Sequence, residues 1–135
     1  MQTVNHCLIE SALGYLMIAE AANGKPLLLD PDDECSTKGV FTRYVQPQVQ
    51  RWSSRRRERL RLSLAYFLER PAVLADDVLA NIQDLTMPEP SDIRQWFLWL
   101  YESLFPNENV KGVDVSNVVE ANNVMEMNFE PGELS

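Results

Sequence analysis

The stretch that most constrains the fold is residues 47–70, where apolar side chains recur at helical spacing among arginines. The stripe advances in steps of three or four residues, as one face of a helix does. It consists of Val49, Trp52, Arg56, Leu60, Leu64 and Phe67. Pro47 suits the first turn of a helix, and Pro71 disfavours helical geometry at the residue before it. We therefore predict one helix over 47–69.

Two alternatives to this continuous helix follow from the same residues. The alternation in RLRLSL would suit a strand, but no β-branched residue lies between Trp52 and Arg70, which favours the helix. A break at Ser53–Ser54, with Ser54 capping a shorter helix, is the second alternative. On a continuous helix Arg56 lies one turn from Trp52 and from Leu60. Its guanidinium can then stack on Trp52, pair with a buried carboxylate or project from an interface.

Prolines and caps indicate further helices over 3–22, 71–85 and 91–105. Thr3 or Asn5 can cap the first, which Asn23–Gly24 ends, and Ser91 or Asp92 can cap the last. Residues 25–30 suit a short buried strand or an extended connection, and 30–39 reads as a loop because it combines proline, acids, small polar residues and glycine.

In the segment 110–135 the helical pattern gives way to an alternation of apolar and polar residues. Met125, Met127 and Phe129 alternate with Glu126, Asn128 and Glu130, which predicts a strand. We predict a single-domain, mainly α bundle of four to five helices over 1–109. Residues 110–135 form a small C-terminal β element, a hairpin or an edge strand, or a partly disordered acidic tail packed on the bundle.

The charge is distributed unevenly around a net value of −8. Residues 50–70 contain seven Lys and Arg but two Asp and Glu, whereas 71–135 contain two and twelve. We call the central arginines the basic strip: Arg51, Arg55, Arg56, Arg57, Arg59 and Arg61. They can pair with the protein's own acids, such as those of 71–85, with an acidic protein partner, or with nucleic-acid phosphates.

The helix over 91–105 is apolar all round between Trp96 and Tyr101. Such a helix is either central to a core or covers a partner. Burying it demands neighbours on every side, which a chain of this size can hardly provide, so a homodimer or partner interface is the alternative to the core. The candidate partner-binding residues are Trp96, Phe97, Trp99, Tyr101, Met125, Met127 and Phe129.

Catalytic and metal signatures are weak. His6 is the only histidine, and the adjacent Cys7 would point about 100° away on a helix, so we expect no acid–base pair with a nucleophile. The acidic segment that begins at Asp30 does not match a calcium loop, because the glycine at the sixth position and the glutamate at the twelfth are absent. We expect reduced cysteines, no catalytic residues, no cofactor and no metal site.

The leading functional prediction is a non-catalytic protein-binding module of an inhibitor, immunity, chaperone or adaptor type, of bacterial or phage kind. It would act through its acidic surface and the aromatic helix on a partner with a basic surface. Nucleic-acid binding through the basic strip is the alternative, and a carboxylate- or metal-dependent enzyme the third. No apolar run is long enough for a membrane span and the first residues contain no basic leader, so we predict a cytoplasmic location without membrane association.

Overall fold

A computed structural model describes residues 2–27, 30–82 and 87–122. The protein is mainly helical with a small two-stranded parallel sheet, which confirms the predicted fold class. The elements in chain order are β1 (Gln2–Val4), α1 (His6–Asn23), α2 (Glu34–Val40), α3 (Gln46–Val49), α4 (Ser54–Phe67), α5 (Pro71–Val73), α6 (Ile93–Leu104) and β2 (Val118–Glu120). Within the described residues, no helix combines the length and the apolar character needed to cross a bilayer.

Helix α1 has the predicted caps but a shorter N-terminal end. The Asn5 side chain accepts a hydrogen bond from the Cys7 N–H at 2.8 Å, and Gly24 ends the helix with a left-handed φ of 70°. The prediction that the helix begins at residue 3 is wrong, because Gln2–Val4 forms β1. This strand pairs in parallel with Val118–Glu120, so its backbone groups find partners from the other end of the described chain.

A helical run over 34–49 replaces the second part of the loop predicted over 30–39, and residues 30–33 remain non-helical. The Asp33 carboxylate accepts from the Ser36 N–H at 2.8 Å and so caps α2. After α2 the run continues through a π-helical segment, Phe41–Val45, into α3. The wide turn directly precedes Pro47, whose ring would clash with the carbonyl four residues earlier in a regular α-helix. The loop prediction failed because Asp33 acts as a helix cap, which composition alone does not reveal.

The prediction of one continuous helix over 47–69 is wrong. The alternative, a break at Ser53–Ser54, is confirmed in its position. The helical run ends near Val49, and α4 begins at Ser54. Ser53, rather than Ser54, is the N-cap, since its hydroxyl accepts from the Arg56 N–H at 3.2 Å.

The segment after Pro71 is helical through Ile82, where the described part ends. It passes from α5 into a π-helical segment, Leu74–Val78, and then a 3-10 turn, Leu79–Ile82. Leu74, Val78 and Ile82, which recur every four residues along this segment, are buried. The end of the predicted helix at residue 85 lies outside the described residues, as do residues 28 and 29 of the predicted strand at 25–30 and the second arm of the predicted hairpin. Residues 25–27 and 30 are described and are not part of a strand.

Helix α6 lies in the core and begins at its predicted cap, Asp92. It packs against α2, α3, α4 and both π-helical segments. The Trp96 ring lies 5.0 Å from that of Phe41 and 5.1 Å from that of Phe97, both in edge-to-face geometry. The short helices between 34 and 49 thus supply the neighbours that cover this helix.

Candidate functional site

Arg56 is a core residue that stacks on Trp52. Its guanidinium carbon lies 4.0 Å from the centre of the indole, and the residue is 3% exposed. The indole N–H in turn donates to the Tyr15 hydroxyl at 2.9 Å. The stacking predicted as one choice for Arg56 is confirmed, and it forms although the helix breaks between the two residues.

The other arginines of the basic strip have separate surroundings. Arg59 donates to the Thr3 hydroxyl at 2.6 Å, while Arg61 donates to Glu58 at 3.0 Å and lies 3.6 Å from Glu108. The hydrogen bond to Glu58 raises the pKa of Arg61 above its ordinary value. Arg57 is half-buried and reaches the Ser54 hydroxyl at 3.3 Å. Arg51 and Arg55 are exposed. The structure therefore divides the basic strip between core, ion pairs and solvent.

The aromatic residues of α6 are buried within a single chain. Trp96 and Phe97 are fully covered, Tyr101 is 1% exposed and Trp99 is 9% exposed. Burial raises the pKa of the Tyr101 phenol, with Arg61 opposing the change. These side chains offer little area to a partner in this conformation. The homodimer and the partner interface predicted for this helix stay predictions, and α6 presents no accessible aromatic surface that would support them. Met125, Met127 and Phe129 lie outside the described residues.

The N-terminal segments of α2 and α6 meet through Asp32. Its carboxylate accepts from the Ser91 N–H at 2.8 Å and from the Ser91 hydroxyl at 2.7 Å. Farther along, Lys38 of α2 lies 3.1 Å from Glu102 of α6, so the two helices are also in contact beyond their N-terminal segments. The meeting point gathers six exposed carboxylates, which we call the acidic junction: Asp30, Asp32, Asp33, Glu34, Glu89 and Asp92.

Hydrogen bonds from Ser91 favour the charged form of Asp32 in the acidic junction. The two bonds from Ser91, that of the backbone first, lower the pKa of Asp32 below its ordinary value. Asp33 and Asp92 cap α2 and α6, and the N–H groups at helix starts stabilise negative charge. The junction can attract cationic side chains, and it repels anions.

A pocket of about 370 Å³ adjoins the acidic junction. Glu89 and Pro90 form one wall, and Leu79, Ile82 and Met87 line the apolar part. Glu89 belongs to both the pocket and the acidic junction. The pocket could accept an apolar side chain next to a cationic one.

His6, Cys7 and Glu10 form a close cluster that the sequence interpretation missed. The His6 Nδ1 lies 3.3 Å from a Glu10 carboxylate oxygen and 4.0 Å from the Cys7 sulfur. The expectation that His6 and Cys7 point too far apart is wrong, because the 100° step separates Cα–Cβ bonds and rotation of the imidazole spans the gap. The spacing of four residues between His6 and Glu10 was the available signal.

Comparison with protein-family models, with curated proteins and with solved structures finds no match.

Proposed function

We propose that the protein is a non-catalytic binding module that docks on a basic surface of another protein through the acidic junction. The observation that carries this proposal is the gathering of six exposed carboxylates where Asp32 joins α2 to α6. Opposite charge speeds the encounter of two proteins and selects between partners.

The surrounding surface favours a cationic partner as well. Fourteen of the sixteen described carboxylates are exposed, and only Glu10 and Glu20 among them are buried. Two arginines contribute less positive charge to the surface, because Arg56 is buried and the Arg61 guanidinium is paired with Glu108. Among the described residues that are not buried, fourteen carboxylates face eleven basic side chains, so the described surface has an excess of negative charge.

The acidic junction is also preorganised for binding. The hydrogen bonds of Asp32, Asp33 and Asp92 to backbone N–H groups orient these carboxylates before a partner arrives. Less side-chain entropy is then lost on association. The adjoining pocket adds an apolar contact, so the partner we expect presents Lys or Arg next to an apolar side chain.

The experiment compares two double variants of equal charge change. Glu34→Lys with Glu89→Lys alters the acidic junction, whereas Glu108→Lys with Glu120→Lys alters carboxylates that contact Arg61 and Tyr66 on α4. Each immobilised protein is used to capture partners from the native host at low and at near-physiological salt. We expect wild type and the α4-side control to retain the same partner, and the junction variant to lose it.

The salt dependence gives a second readout. Capture by wild type should weaken as the salt concentration rises, since screening shortens the reach of the carboxylate charges. Retention of the partner by the junction variant at the wild-type level, or loss by the control alone, would contradict the proposal.

Nucleic-acid binding through the basic strip receives less physical support. Arg56 is stacked in the core and Arg61 is engaged by two carboxylates, so Arg51 and Arg55 are the members of the basic strip that are exposed for contact with phosphates. We expect no mobility shift of short DNA or RNA duplexes at about 50 mM salt, where electrostatic binding is strong. A salt-sensitive shift that Arg51→Ala with Arg55→Ala abolishes would favour this second function.

A further inference from the structure

The cluster at the start of α1 has the donor atoms of a transition-metal site. The Nδ1 of His6, the sulfur of Cys7 and a carboxylate oxygen of Glu10 all lie within 4.8 Å of one another. We propose that these three residues bind a zinc ion and leave its fourth position to water or an exogenous ligand. This site goes beyond the proposed docking function and uses none of its residues.

The distances suit tetrahedral zinc. Zinc bonds of about 2.0–2.3 Å at tetrahedral angles separate nitrogen and oxygen donors by about 3.3 Å, and nitrogen and sulfur donors by about 3.5 Å. The observed separations are 3.3 Å for His6 to Glu10 and 4.0 Å for His6 to Cys7. The Cys7 sulfur must approach the imidazole by about 0.5 Å and must also come to about 3.5 Å from the Glu10 oxygen, so rotation of both side chains completes the geometry.

Burial and charge favour a divalent ion at this place. Cys7 is 2% exposed, Glu10 is 6% exposed and His6 is 15% exposed. Burying a carboxylate is costly unless its charge is compensated. A zinc ion with one thiolate, one carboxylate and one neutral imidazole makes the site neutral, and the Cys7 thiol proton passes to solvent on binding.

Neighbouring groups hold the three donors in place. The Asn81 amide donates to the same Glu10 oxygen at 3.0 Å and also to the Asp77 carbonyl at 2.8 Å, so it connects the cluster to the 3-10 turn. The backbone N–H of His6 donates to the Asn122 side chain at 3.1 Å, and the backbone N–H of Cys7 donates to the side chain of Asn5, the N-cap of α1. Such outer contacts orient the ligands of metal sites.

The donor types select the metal. A thiolate and an imidazole favour zinc and similar transition metals, whereas magnesium and calcium require oxygen ligands. Three protein ligands leave one open position, as in zinc sites that bind water or substrate.

The test adds zinc or cobalt(II) to the full chain after treatment with a chelator. We expect one equivalent of zinc to bind and the melting temperature to rise with free zinc, since the ion binds the folded state. Cobalt(II) should bind with the near-ultraviolet charge-transfer absorption that a cobalt–thiolate bond produces. Absence of stoichiometric zinc binding, or of this absorption in wild type, would overturn the site.

Variants identify the ligands, with the second cysteine as a matched control. Cys7→Ser should remove the charge-transfer absorption, whereas Cys35→Ser, at an exposed position, should retain it. Glu10→Gln should weaken zinc binding at least about 10-fold, and Asn81→Ala about 10- to 100-fold. Circular dichroism checks the fold of each variant, and Glu10→Gln decides the outcome should Cys7→Ser not fold. Absorption that persists in Cys7→Ser, or disappears in Cys35→Ser alone, would refute the assignment.

Discussion

Arg56 and Asp32 show how single polar residues position larger parts of this protein. The Arg56 guanidinium is buried on the Trp52 indole, so its planar face serves as an apolar contact while it keeps its charge. Asp32 is exposed, yet its two bonds from Ser91 connect segments that are far apart in sequence. The helical stripe in the sequence identified the first residue as unusual. Nothing in the sequence indicated the second, because its partner lies 59 positions away.

Replacement of Arg56 should destabilise the fold, whereas its neighbour should not. We expect Arg56→Ala to lower the free energy of unfolding by about 2 kcal/mol or more, through lost stacking and packing. Arg55→Ala, at an exposed position, should change it by less than about 0.5 kcal/mol. Urea denaturation measures both. Equal effects of the two substitutions would show that the stacking is not stabilising.

The charge of Asp32 should depend on the backbone more than on the Ser91 hydroxyl. An NMR titration should give the Asp32 carboxyl a pKa below its ordinary value of 3.8. Ser91→Ala should raise that pKa only partly, because the Ser91 N–H is the larger cause and is retained. The carboxyl of Asp114, whose pKa is lowered by Ser116, serves as an internal control and should not change.

The same pKa shift determines a pH dependence of stability. A carboxyl with a depressed folded pKa stabilises the protein above its unfolded pKa, and this contribution disappears as the pH falls through the folded pKa. The contribution of Asp32 should therefore be present at neutral pH and fade below about pH 4. Asp32→Asn should flatten the stability profile in that acidic range. An unchanged profile would contradict the role of Asp32 as a charged connector.

Caps and prolines set the ends of the elements. Asn5, Asp33, Ser53 and Asp92 each accept from a backbone N–H two or three residues later, and each precedes a helix. Prediction from the sequence succeeded where the cap was followed by an apolar helical stripe, as in α1 and α6. It failed at α2, where the cap Asp33 lay among other acids and no such stripe followed.

The break before α4 can be tested with two adjacent serines. Ser53→Ala should lower the free energy of unfolding by about 1 kcal/mol, because the Arg56 N–H loses its acceptor at the helix start. Ser54→Ala, at the first helical position, should have a much smaller effect. Thermal denaturation followed by circular dichroism compares them. A larger loss at Ser54 would instead support the cap predicted from the sequence.

At the scale of the whole molecule, the core is built around α6 and closed by a sheet between distant segments. The helices and π-helical segments on either side cover the aromatic face of α6 within one chain. β1 and β2 connect residues near the beginning of the chain with residues near position 120. Val110, Val113 and Val118 lie partly buried against the core, which attaches the described part of the C-terminal segment to the bundle.

The burial of Trp96 distinguishes a core role from an interface role. Trp96→Ala should lower the free energy of unfolding by about 3–5 kcal/mol, because it leaves a large cavity. Ile18→Ala, at a position 66% exposed, should change it by less than about 0.5 kcal/mol. A stable Trp96→Ala protein that loses a binding partner would instead support the interface prediction for this helix.

The sequence by itself determined the mainly helical class, the C-terminal end of α1, the start of α6 and the unusual position of Arg56. These features depend on neighbours within a few residues, where caps, prolines and helical periodicity act directly. Only the tertiary structure decided that β1 pairs with β2, that Asp32 connects to Ser91 and that His6, Cys7 and Glu10 converge. Their contacts depend on how helices pack and how side chains rotate, which local residue patterns do not specify.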